Sequence, residues 1–214
     1  MRTLYSYFRS SAAYRVRIAL ALKGLEYDVV PIHLLKDGGE QLGAAYLARN
    51  PEGLVPAFSE NDHTLSQSLA IMEYLDEVYP EVALLPAAPA DRARVRALAL
   101  LVACDIHPLN NLRVLRWLAH NLKVDQAARD DWYRHWILTG FQALETRLQA
   151  VQTGLFCQGD QPGLADCCLV PQVYNAKRYH IDVSAWPTIA RIATHCNTLS
   201  AFQAAHPDQQ PDAA

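Results

Sequence analysis

The amino-acid sequence predicts a chain of two domains, an α/β domain followed by an all-helical domain. Three observations predict this organisation. The first 80 residues alternate between strand-like and helix-like segments, a short segment rich in proline and alanine follows, and the rest of the chain has mainly helical periodicity. The expected boundaries are residues 1–83 for the first domain, 84–89 for a linker and 90–214 for the second domain.

The first domain opens with a strand, a helix and a second strand. Thr3–Tyr7 reads as a strand, Ser11–Lys23 as a helix stopped by Gly24, and Tyr27–Ile32 as the second strand. Parallel strands need a crossover connection of a dozen or more residues. The helix between the two strands therefore predicts a right-handed βαβ unit.

The remainder of this domain is expected to complete the sheet. A weak helix is predicted at Gln41–Leu47 and a longer helix at Gln67–Tyr79. Two short strands, Ala57–Ser59 and Thr64–Leu65, flank a polar turn and are expected to form a hairpin.

The second domain is expected to contain only helices. Its first helix, Ala90–Leu122, should kink or break at Pro108, which lacks the backbone N–H that a helix needs. Further helices are predicted at Asp130–Val151, Leu164–Lys177 and Thr188–Ala204. The proline-containing tail Pro207–Ala214 is expected to be loosely ordered.

Composition excludes several classes of protein. The chain has 214 residues, 51% of them hydrophobic, and a net charge of −3, so it offers no bulk attraction to nucleic acid or to an anionic membrane. Five cysteines without a C-x-x-C pair predict neither a disulfide framework nor a metal site. The N-terminal residues lack a signal-peptide pattern, and no apolar run is long enough to span a membrane. We expect a cytoplasmic protein.

Ser10 and Ser11 stand where the first strand turns into the first helix. A helix N-terminus carries unpaired N–H groups and a partial positive charge, which together stabilise an anion. The simpler alternative is that one serine only caps the helix. Residues 1–25 hold five basic side chains and no acidic one, which favours the anion: Arg2, Arg9, Arg15, Arg17 and Lys23.

Two further pairs are candidates for ligand binding. Val55-Pro56 precedes a strand, and a cis peptide there could present the Val55 backbone to a peptide-like ligand. Gln67-Ser68 begins the third helix, where the N–H groups and side-chain donors suit a carboxylate. Helix capping by these residues is the alternative.

The chain resembles the zeta-class glutathione transferases, and within them the bacterial maleylacetoacetate isomerases. Six segments spread over nearly the whole chain carry this resemblance. In the first domain they are Y-S-Y-F-R-S-S-A-A-Y-R-V-R-I-A-L-A-L-K-G at Tyr5–Gly24, N-P-E-G-L-V-P-A at Asn50–Ala57 and Q-S-L-A-I-M-E-Y-L at Gln67–Leu75. In the rest they are C-D-I-H-P-L-N-N-L-R-V-L at Cys104–Leu115, G-D-Q-P-G-L-A-D-C-C-L-V-P-Q-V at Gly159–Val173 and H-P-D-Q-Q-P-D at His206–Asp212.

The resemblance implies a thioredoxin-like first domain, an all-helical second domain, a homodimer, and glutathione as the cofactor. It assigns Ser10, with Ser11, to holding the glutathione thiolate. The residues it assigns to binding the tripeptide are Gln41, Val55, Pro56, Gln67, Ser68, His107, Asn111 and Arg113. It assigns Arg178 to a substrate carboxylate, with Arg9 as a second candidate. The alternatives are a helix-kink role for His107 and surface ion pairs for the two arginines.

The implied reaction is glutathione-dependent cis–trans isomerisation of maleylacetoacetate to fumarylacetoacetate in tyrosine catabolism, on a small dicarboxylate. Three alternatives stay open: maleylpyruvate as the substrate, net glutathione transfer or dehalogenation of α-halo acids, and a non-enzymatic interaction protein on the same fold.

Two positions depart from the family pattern. Ala12 stands where eukaryotic members have a cysteine, so any role of that thiol is absent here. Gly163 stands where the family has a serine or threonine that caps a helix. Because glycine is a tolerated N-cap, we expect the helix to form with Asp166 bonding back to the backbone.

Overall fold

The structure is a computed structural model that describes residues 1–150 and 153–213. The chain divides into two compact units. One contains Met1–Leu84 together with the segment that begins at Thr198, and the other contains Leu85–Asn197. We call them the sheet unit and the helical unit. Among the described residues, no helix is long and apolar enough to cross a membrane.

The sheet unit is built on a four-stranded mixed sheet with the order β2-β1-β3-β4. The strands are β1 (Arg2–Ser6), β2 (Asp28–Pro31), β3 (Ala57–Glu60) and β4 (His63–Ser66). β1 and β2 pair in parallel, while β3 pairs antiparallel with β1 and with β4. The predicted parallel pairing of the first two strands and the predicted hairpin are confirmed, and the right-handedness of the crossover stays a prediction.

Nine α-helices are found in the described part of the chain. They are α1 (Ser11–Leu22), α2 (Ala44–Leu47), α3 (Ser68–Val78), α4 (Pro89–Leu100), α5 (Leu112–His120), α6 (Gln126–Gln149), α7 (Leu164–Arg178), α8 (Pro187–Cys196) and α9 (Ser200–Ala205). The sheet unit contains α1, α2, α3 and α9, and the helical unit contains the others.

The core of the sheet unit lies between the sheet and its helices. The side chains of Leu4 and Phe58 on the sheet, Ile18 on α1 and Ile71 on α3 are fully buried. Burial of such side chains is the main force that holds helices against a sheet. The helix α1 ends as predicted, because Gly24 adopts a positive φ of 65°, which side chains with a Cβ rarely adopt.

The weak helix predicted at Gln41–Leu47 is divided in two. Glu40–Leu42 forms a single 3₁₀ turn, and α2 starts only at Ala44. Gly43 between them has extended backbone angles, φ −71° and ψ 145°, which end the first turn. Gln41 consequently lies in the 3₁₀ turn.

The C-terminal part of the chain corrects two predictions. The single helix predicted at Thr188–Ala204 is two helices, because α8 ends at Cys196 and α9 begins at Ser200. The polar residues between them favour non-helical backbone. The second domain was expected to cover 90–214, yet α9 packs on α1 and the segment from Thr198 belongs to the sheet unit.

The tail predicted to be loosely ordered is fixed by contacts instead. Pro207–Gln209 forms a 3₁₀ turn in which Pro207 is buried. Farther on, the Asp212 carboxylate accepts a hydrogen bond of 2.9 Å from the backbone N–H of Phe8. Two prolines in the tail restrict its conformation and make it easier to order than its composition suggests.

The first long helix of the helical unit breaks where it was predicted to break. α4 continues into a π-helical turn, Leu101–Ile106, in which the His107 N–H bonds to Val102 O at 3.0 Å. α5 does not start until Leu112, with Asn111 as its N-cap. Pro108 cannot donate to the helix ladder, which explains the interruption.

The other helical boundaries follow their caps. α6 starts four residues before the predicted Asp130, because Asp125 caps it by accepting from the Ala128 N–H at 2.8 Å. Its predicted end at Val151 lies outside the described residues. α7 forms with Gly163 as N-cap, and Asp166 bonds back to the Gly163 N–H at 2.9 Å, as predicted.

Candidate active site

Three of the predicted segments lie at one edge of the sheet. Tyr5 on β1 pairs with Ala57 on β3, which pairs in turn with Ser66 on β4. The loop after β1, the loop before β3 and the loop after β4 therefore meet at this edge. They carry Ser10 with Ser11, Val55 with Pro56, and Gln67 with Ser68, so the structure brings these six candidates to one end of the sheet.

Ser10 is the N-cap of α1. Its hydroxyl oxygen accepts a hydrogen bond from the Ala13 N–H at 3.2 Å, and its own N–H donates to Tyr7 O at 2.9 Å. The side chain is partly exposed, whereas Ser11 beside it is buried. A hydroxyl that accepts one hydrogen bond can still donate its proton. Capping and anion binding are therefore compatible at Ser10, next to the positive end of the helix.

Arg9 lies beside Ser10 against aromatic rings. Its guanidinium donates to the Tyr7 hydroxyl at 2.9 Å and stands 5.0 Å from the centre of the Phe8 ring. The Arg9 Nε is buried and has no hydrogen-bond partner among the described residues. Arg9 thus forms no ion pair there, and its charge is available for an anionic ligand.

Gln67 precedes α3 with a positive φ of 66°, uncommon for a residue with a side chain. Its amide nitrogen donates to the Glu52 carboxylate at 2.6 Å, and the Ser66 hydroxyl donates to the same carboxylate at 2.8 Å. Glu52 therefore holds the side chain of Gln67 at the entrance to α3. Helix capping requires neither the positive φ of Gln67 nor the anchoring of its side chain by Glu52. Both features therefore point to a binding role for Gln67.

Ser68 is the first residue of α3 and is buried. Its hydroxyl oxygen accepts a hydrogen bond of 3.1 Å from the guanidinium of Arg15, which reaches over from α1. Since Ser68 accepts from Arg15, its own proton is directed elsewhere. The helix N-terminus, the hydroxyl and the guanidinium together form a site suited to a carboxylate.

The peptide bond between Val55 and Pro56 is cis, the form that the sequence analysis left open. Leu54 O just before it accepts two hydrogen bonds, from the Tyr46 hydroxyl at 2.6 Å and from the Asn50 amide at 2.8 Å. Burial raises the pKa of Tyr46 to about 12, so its hydroxyl stays protonated and keeps donating. The backbone that leads into Val55 is therefore held from one side by two side chains.

Gln41 is buried, and its amide oxygen has no hydrogen-bond partner among the described residues. A Cβ on Gly39 would lie 2.6 Å from the Gln41 amide, and Gly39 has a φ of 119°, so only glycine fits there. Leaving a buried acceptor unpaired is unfavourable. An N–H of a ligand or a water molecule would remove that cost.

The remaining candidates lie in the helical unit. His107 closes the π-helical turn and is partly exposed, consistent with the helix-kink alternative. Asn111 caps α5 by accepting from the Arg113 N–H at 3.0 Å, and the Arg113 side chain is exposed. These three residues follow one another across the interruption between α4 and α5.

Arg178 ends α7 and is exposed. Its guanidinium makes a long contact of 3.4 Å with the Asn175 amide oxygen, and among the described residues it has no carboxylate partner. The Tyr133 and Tyr179 rings stack nearby at 3.6 Å, and burial raises the pKa of the Tyr133 hydroxyl. An exposed arginine without an ion pair fits a role in binding an anion better than a surface ion pair.

Sequence reasoning missed four residues that support this edge of the sheet. Arg15 and Arg17 were counted only as positive charge, yet both are buried. Glu52 was part of a quoted motif without a role, and Asp212 lay in the tail expected to be loose. Two arginines on an otherwise apolar helix were the signal that could have revealed the first two.

Comparisons with known proteins agree with this geometry. Residues 2–77 match the model of the glutathione S-transferase N-terminal domain. The chain is 50% identical over 210 residues to a probable maleylacetoacetate isomerase of Vibrio cholerae, covering 98% of this chain and 97% of the relative.

Two solved proteins have nearly the same fold. A maleylpyruvate isomerase described as a bacterial glutathione S-transferase of the zeta class has a TM-score of 0.95 and 47% identity, over 99% of this chain and 100% of that one. A maleylacetoacetate isomerase from Anaeromyxobacter dehalogenans with bound glutathione has a TM-score of 0.90 and 49% identity, over 100% of this chain and 98% of that one. A second structure of that isomerase, with a TM-score of 0.89, 48% identity and the same coverage, holds dicarboxyethyl glutathione and citrate. The chain belongs to the glutathione transferase family and, within it, to the zeta class.

Proposed function

We propose that this protein is a glutathione-dependent isomerase that converts maleylacetoacetate to fumarylacetoacetate. The observation that carries the proposal is the partly exposed Ser10 hydroxyl at the N-terminus of α1, at the same sheet edge as Val55 and Gln67. The names of the relatives support the same reaction.

The residues at the sheet edge fit the tripeptide glutathione. Gln67 and Ser68 suit the carboxylate of its γ-glutamyl end, because Ser68 combines a helix N-terminus with the charge of Arg15. The Val55 backbone suits the peptide part. The unpaired amide oxygen of Gln41 is an acceptor that a ligand N–H would satisfy.

Glutathione, when bound, supplies a thiol whose sulfur adds to the carbon–carbon double bond of the substrate and later leaves. Between these two events the bond is single, so the substrate can rotate about it. Ser10 donates its hydroxyl proton toward that sulfur, and the N-terminus of α1 favours the negative charge on it. Both effects lower the pKa of the thiol. We assign Arg9 to neutralising a carboxylate of the substrate or the charge that develops on its carbonyl, with support from its unpaired Nε beside Ser10.

We assign His107, Asn111 and Arg113 to the glutathione and Arg178 to a carboxylate of the dicarboxylate substrate. Support comes from their motif positions and, for the two arginines, from their exposure. A substrate with two carboxylates needs two positive groups, and Arg9 and Arg178 are the candidates.

The test is an assay with glutathione at a small fraction of the substrate concentration. An isomerase regenerates glutathione, so many equivalents of maleylacetoacetate should be converted with no loss of free thiol. Loss of thiol in step with product would instead indicate net transfer, as in dehalogenation of an α-halo acid. Absence of both turnover and glutathione binding would favour a non-enzymatic protein.

Maleylpyruvate is the second candidate substrate, because the solved maleylpyruvate isomerase has a TM-score of 0.95. The same assay run on both substrates separates them. A kcat/KM at least ten-fold higher for maleylpyruvate would reverse the assignment.

We also propose that the protein acts in the cytoplasm as a homodimer. The five cysteines are all free thiols in the structure, and four of them are buried, which suits a reducing compartment. Sedimentation equilibrium of the purified protein tests the dimer, and fractionation of the source cells tests the location.

A further inference from the structure

The loop Tyr7–Ser10, which we call the serine loop, is held from two parts of the chain, α1 and the C-terminal segment. Arg17 contacts it from α1: its guanidinium donates to Phe8 O at 3.0 Å and to Tyr7 O at 3.4 Å. The side chain of Arg17 is fully buried. The serine loop therefore rests on a charged group inside the protein.

The same guanidinium connects the serine loop to the C-terminal segment. Its Nε donates to Ala205 O, the last residue of α9, at 3.0 Å, and one of its terminal nitrogens donates to the Ser6 hydroxyl at 3.1 Å. One rigid side chain thus joins the end of β1, the serine loop and α9. Guanidinium groups suit this task because their donors point in fixed directions.

The C-terminal segment contacts the serine loop a second time, through Asp212. One oxygen of its carboxylate accepts from the Phe8 N–H at 2.9 Å. The other oxygen is buried and has no hydrogen-bond partner among the described residues. A half-paired buried carboxylate is a poor source of stability. The Asp212 carboxylate does, however, fix the position of the Phe8 N–H.

We propose that Asp212 and Arg17 are positioning residues for Ser10. They clamp the Tyr7–Phe8 peptide from both sides, Asp212 at its N–H and Arg17 at its C=O, and so fix the direction of the Ser10 hydroxyl. This inference rests on the proposed function, in which Ser10 activates the glutathione thiol. The coupling is short: Phe8 is two residues before Ser10, and the Ser10 N–H bonds back to Tyr7 O. A shift of the Phe8 peptide therefore moves the cap of α1.

The test compares Asp212→Ala, Asp212→Asn and the control Asp208→Ala in the full-length protein. Asp208 lies in the same segment with an exposed carboxylate, and its contact is with His206. Three quantities are measured: kcat and KM, the pKa of the bound glutathione thiol from thiolate absorbance against pH, and the unfolding temperature.

The clamp predicts a large effect on kcat and on the pKa of the bound thiol and a small effect on KM. Asp212→Ala should lower kcat about ten- to hundred-fold and raise the pKa of the bound thiol, with KM for glutathione changed less than about three-fold. Asp212→Asn keeps an oxygen that can accept from Phe8 and should restore most of the activity. Asp208→Ala should leave all three quantities as in the unchanged protein.

Two results would overturn the clamp. One is an Asp212→Ala protein with unchanged kcat and thiol pKa. The other is a fall in activity that only follows a lower unfolding temperature, with the thiol pKa unchanged, since that would show a merely structural role.

Ser10→Ala, measured in the same series, separates this inference from the proposed function. If Ser10→Ala raises the thiol pKa and Asp212→Ala does not, the clamp is wrong and the role of Ser10 stands. If neither variant raises it, the role of Ser10 fails and the clamp fails with it.

Discussion

We assign two roles to the Ser10 hydroxyl, capping of α1 and donation to the glutathione thiol. The two can be distinguished, because loss of the first lowers stability and loss of the second lowers the rate. The oxygen caps α1 through the Ala13 N–H, and in the proposed mechanism the proton is donated to the glutathione sulfur. Loss of an N-cap costs about 1 kcal/mol of stability. Loss of a hydrogen bond to a developing charge costs considerably more in rate.

We therefore expect Ser10→Ala to lower kcat about 100-fold or more while glutathione affinity changes only a few-fold. Stability should fall by about 1 kcal/mol. Steady-state kinetics and calorimetric titration with glutathione check both values. Ser59→Ala is the control, because the Ser59 hydroxyl on β3 contacts the Thr64 hydroxyl of β4, and it should leave kcat unchanged.

Arg178 gives a prediction about substrate binding. Arg178→Ala should mainly raise KM for the dicarboxylate, by about ten-fold, because a charge-assisted hydrogen bond to a carboxylate is worth about 1.5–3 kcal/mol. Arg178→Lys should recover part of the loss. An unchanged KM in the alanine variant would remove Arg178 from the substrate site.

Glu60 gives a prediction about acid stability. Its carboxylate is buried and accepts from the Tyr79 and Tyr74 hydroxyls and from Arg2. Burial alone would raise the pKa of Glu60, but these hydrogen bonds and the charge of Arg2 outweigh it and hold the pKa below its ordinary value. The stabilisation is complete above the unfolded pKa and is lost as the pH falls through the folded pKa.

Urea unfolding at several pH values below about 4.5 tests this. The free energy of unfolding should fall less steeply with decreasing pH in Glu60→Gln than in the unchanged protein. Glu81→Gln, which alters an exposed carboxylate, is the control. Equal slopes in the Glu60→Gln and unchanged proteins would contradict the prediction.

The sequence predicted where Ser10, Val55 and Gln67 lie in the fold, because loop ends and helix starts carry local signals, while their binding roles stay predictions. It did not predict the buried residues that contact and support them. The burial of Arg15 and Arg17 depends on which elements pack on α1, and this packing is invisible to periodicity. Asp212 reaches Phe8 across 204 positions of sequence, a contact that no local pattern encodes.

At the scale of elements, a carboxylate on α6 caps a different helix. Glu145 is buried and accepts from the backbone N–H groups of Thr188 and Ile189 at 2.9 and 3.0 Å. These N–H groups belong to the first turn of α8 and have no partner within it. One side chain thus fixes the start of α8 against α6.

Removing this cap should destabilise the helical unit. We expect Glu145→Ala to lower the free energy of unfolding by about 2–3 kcal/mol, because two buried donors lose their acceptor. Glu145→Gln, which keeps one oxygen in place, should lose less. Gln142→Ala on the exposed face of α6 should change stability by less than about 0.5 kcal/mol. Chemical denaturation of the three variants gives the comparison.

Element types followed from the sequence more reliably than their ends. The four strands and the order of helices agree with periodicity and turn signals. The interruption between α8 and α9 was missed, because Thr188–Ala204 keeps an apolar repeat across a short polar break. The polar residues favour a break there, and the packing of α9 on α1, which periodicity does not show, requires one.

At the scale of the whole molecule, ligand binding should be visible as stability. Glutathione at about 100 times its Kd stabilises a protein that binds it only when folded by about 2.7 kcal/mol. For a chain of this size that corresponds to a rise of about 5–10 °C in unfolding temperature. Cysteinylglycine, which lacks the γ-glutamyl end expected at Gln67 and Ser68, should give a much smaller rise. Equal rises with the two thiols would contradict that assignment.

The packing of α9 on α1 also bears on biosynthesis. The sheet unit is formed by segments on both sides of the helical unit, so its second segment leaves the ribosome only after the whole helical unit has emerged. At usual translation rates about 6–23 s separate Leu84 from Thr198. During that interval α1 lacks the helix that covers it, and the nascent sheet unit exposes apolar surface that a chaperone can bind. Arg17 becomes fully enclosed, and the serine loop complete, only after α9 and Asp212 have left the ribosome.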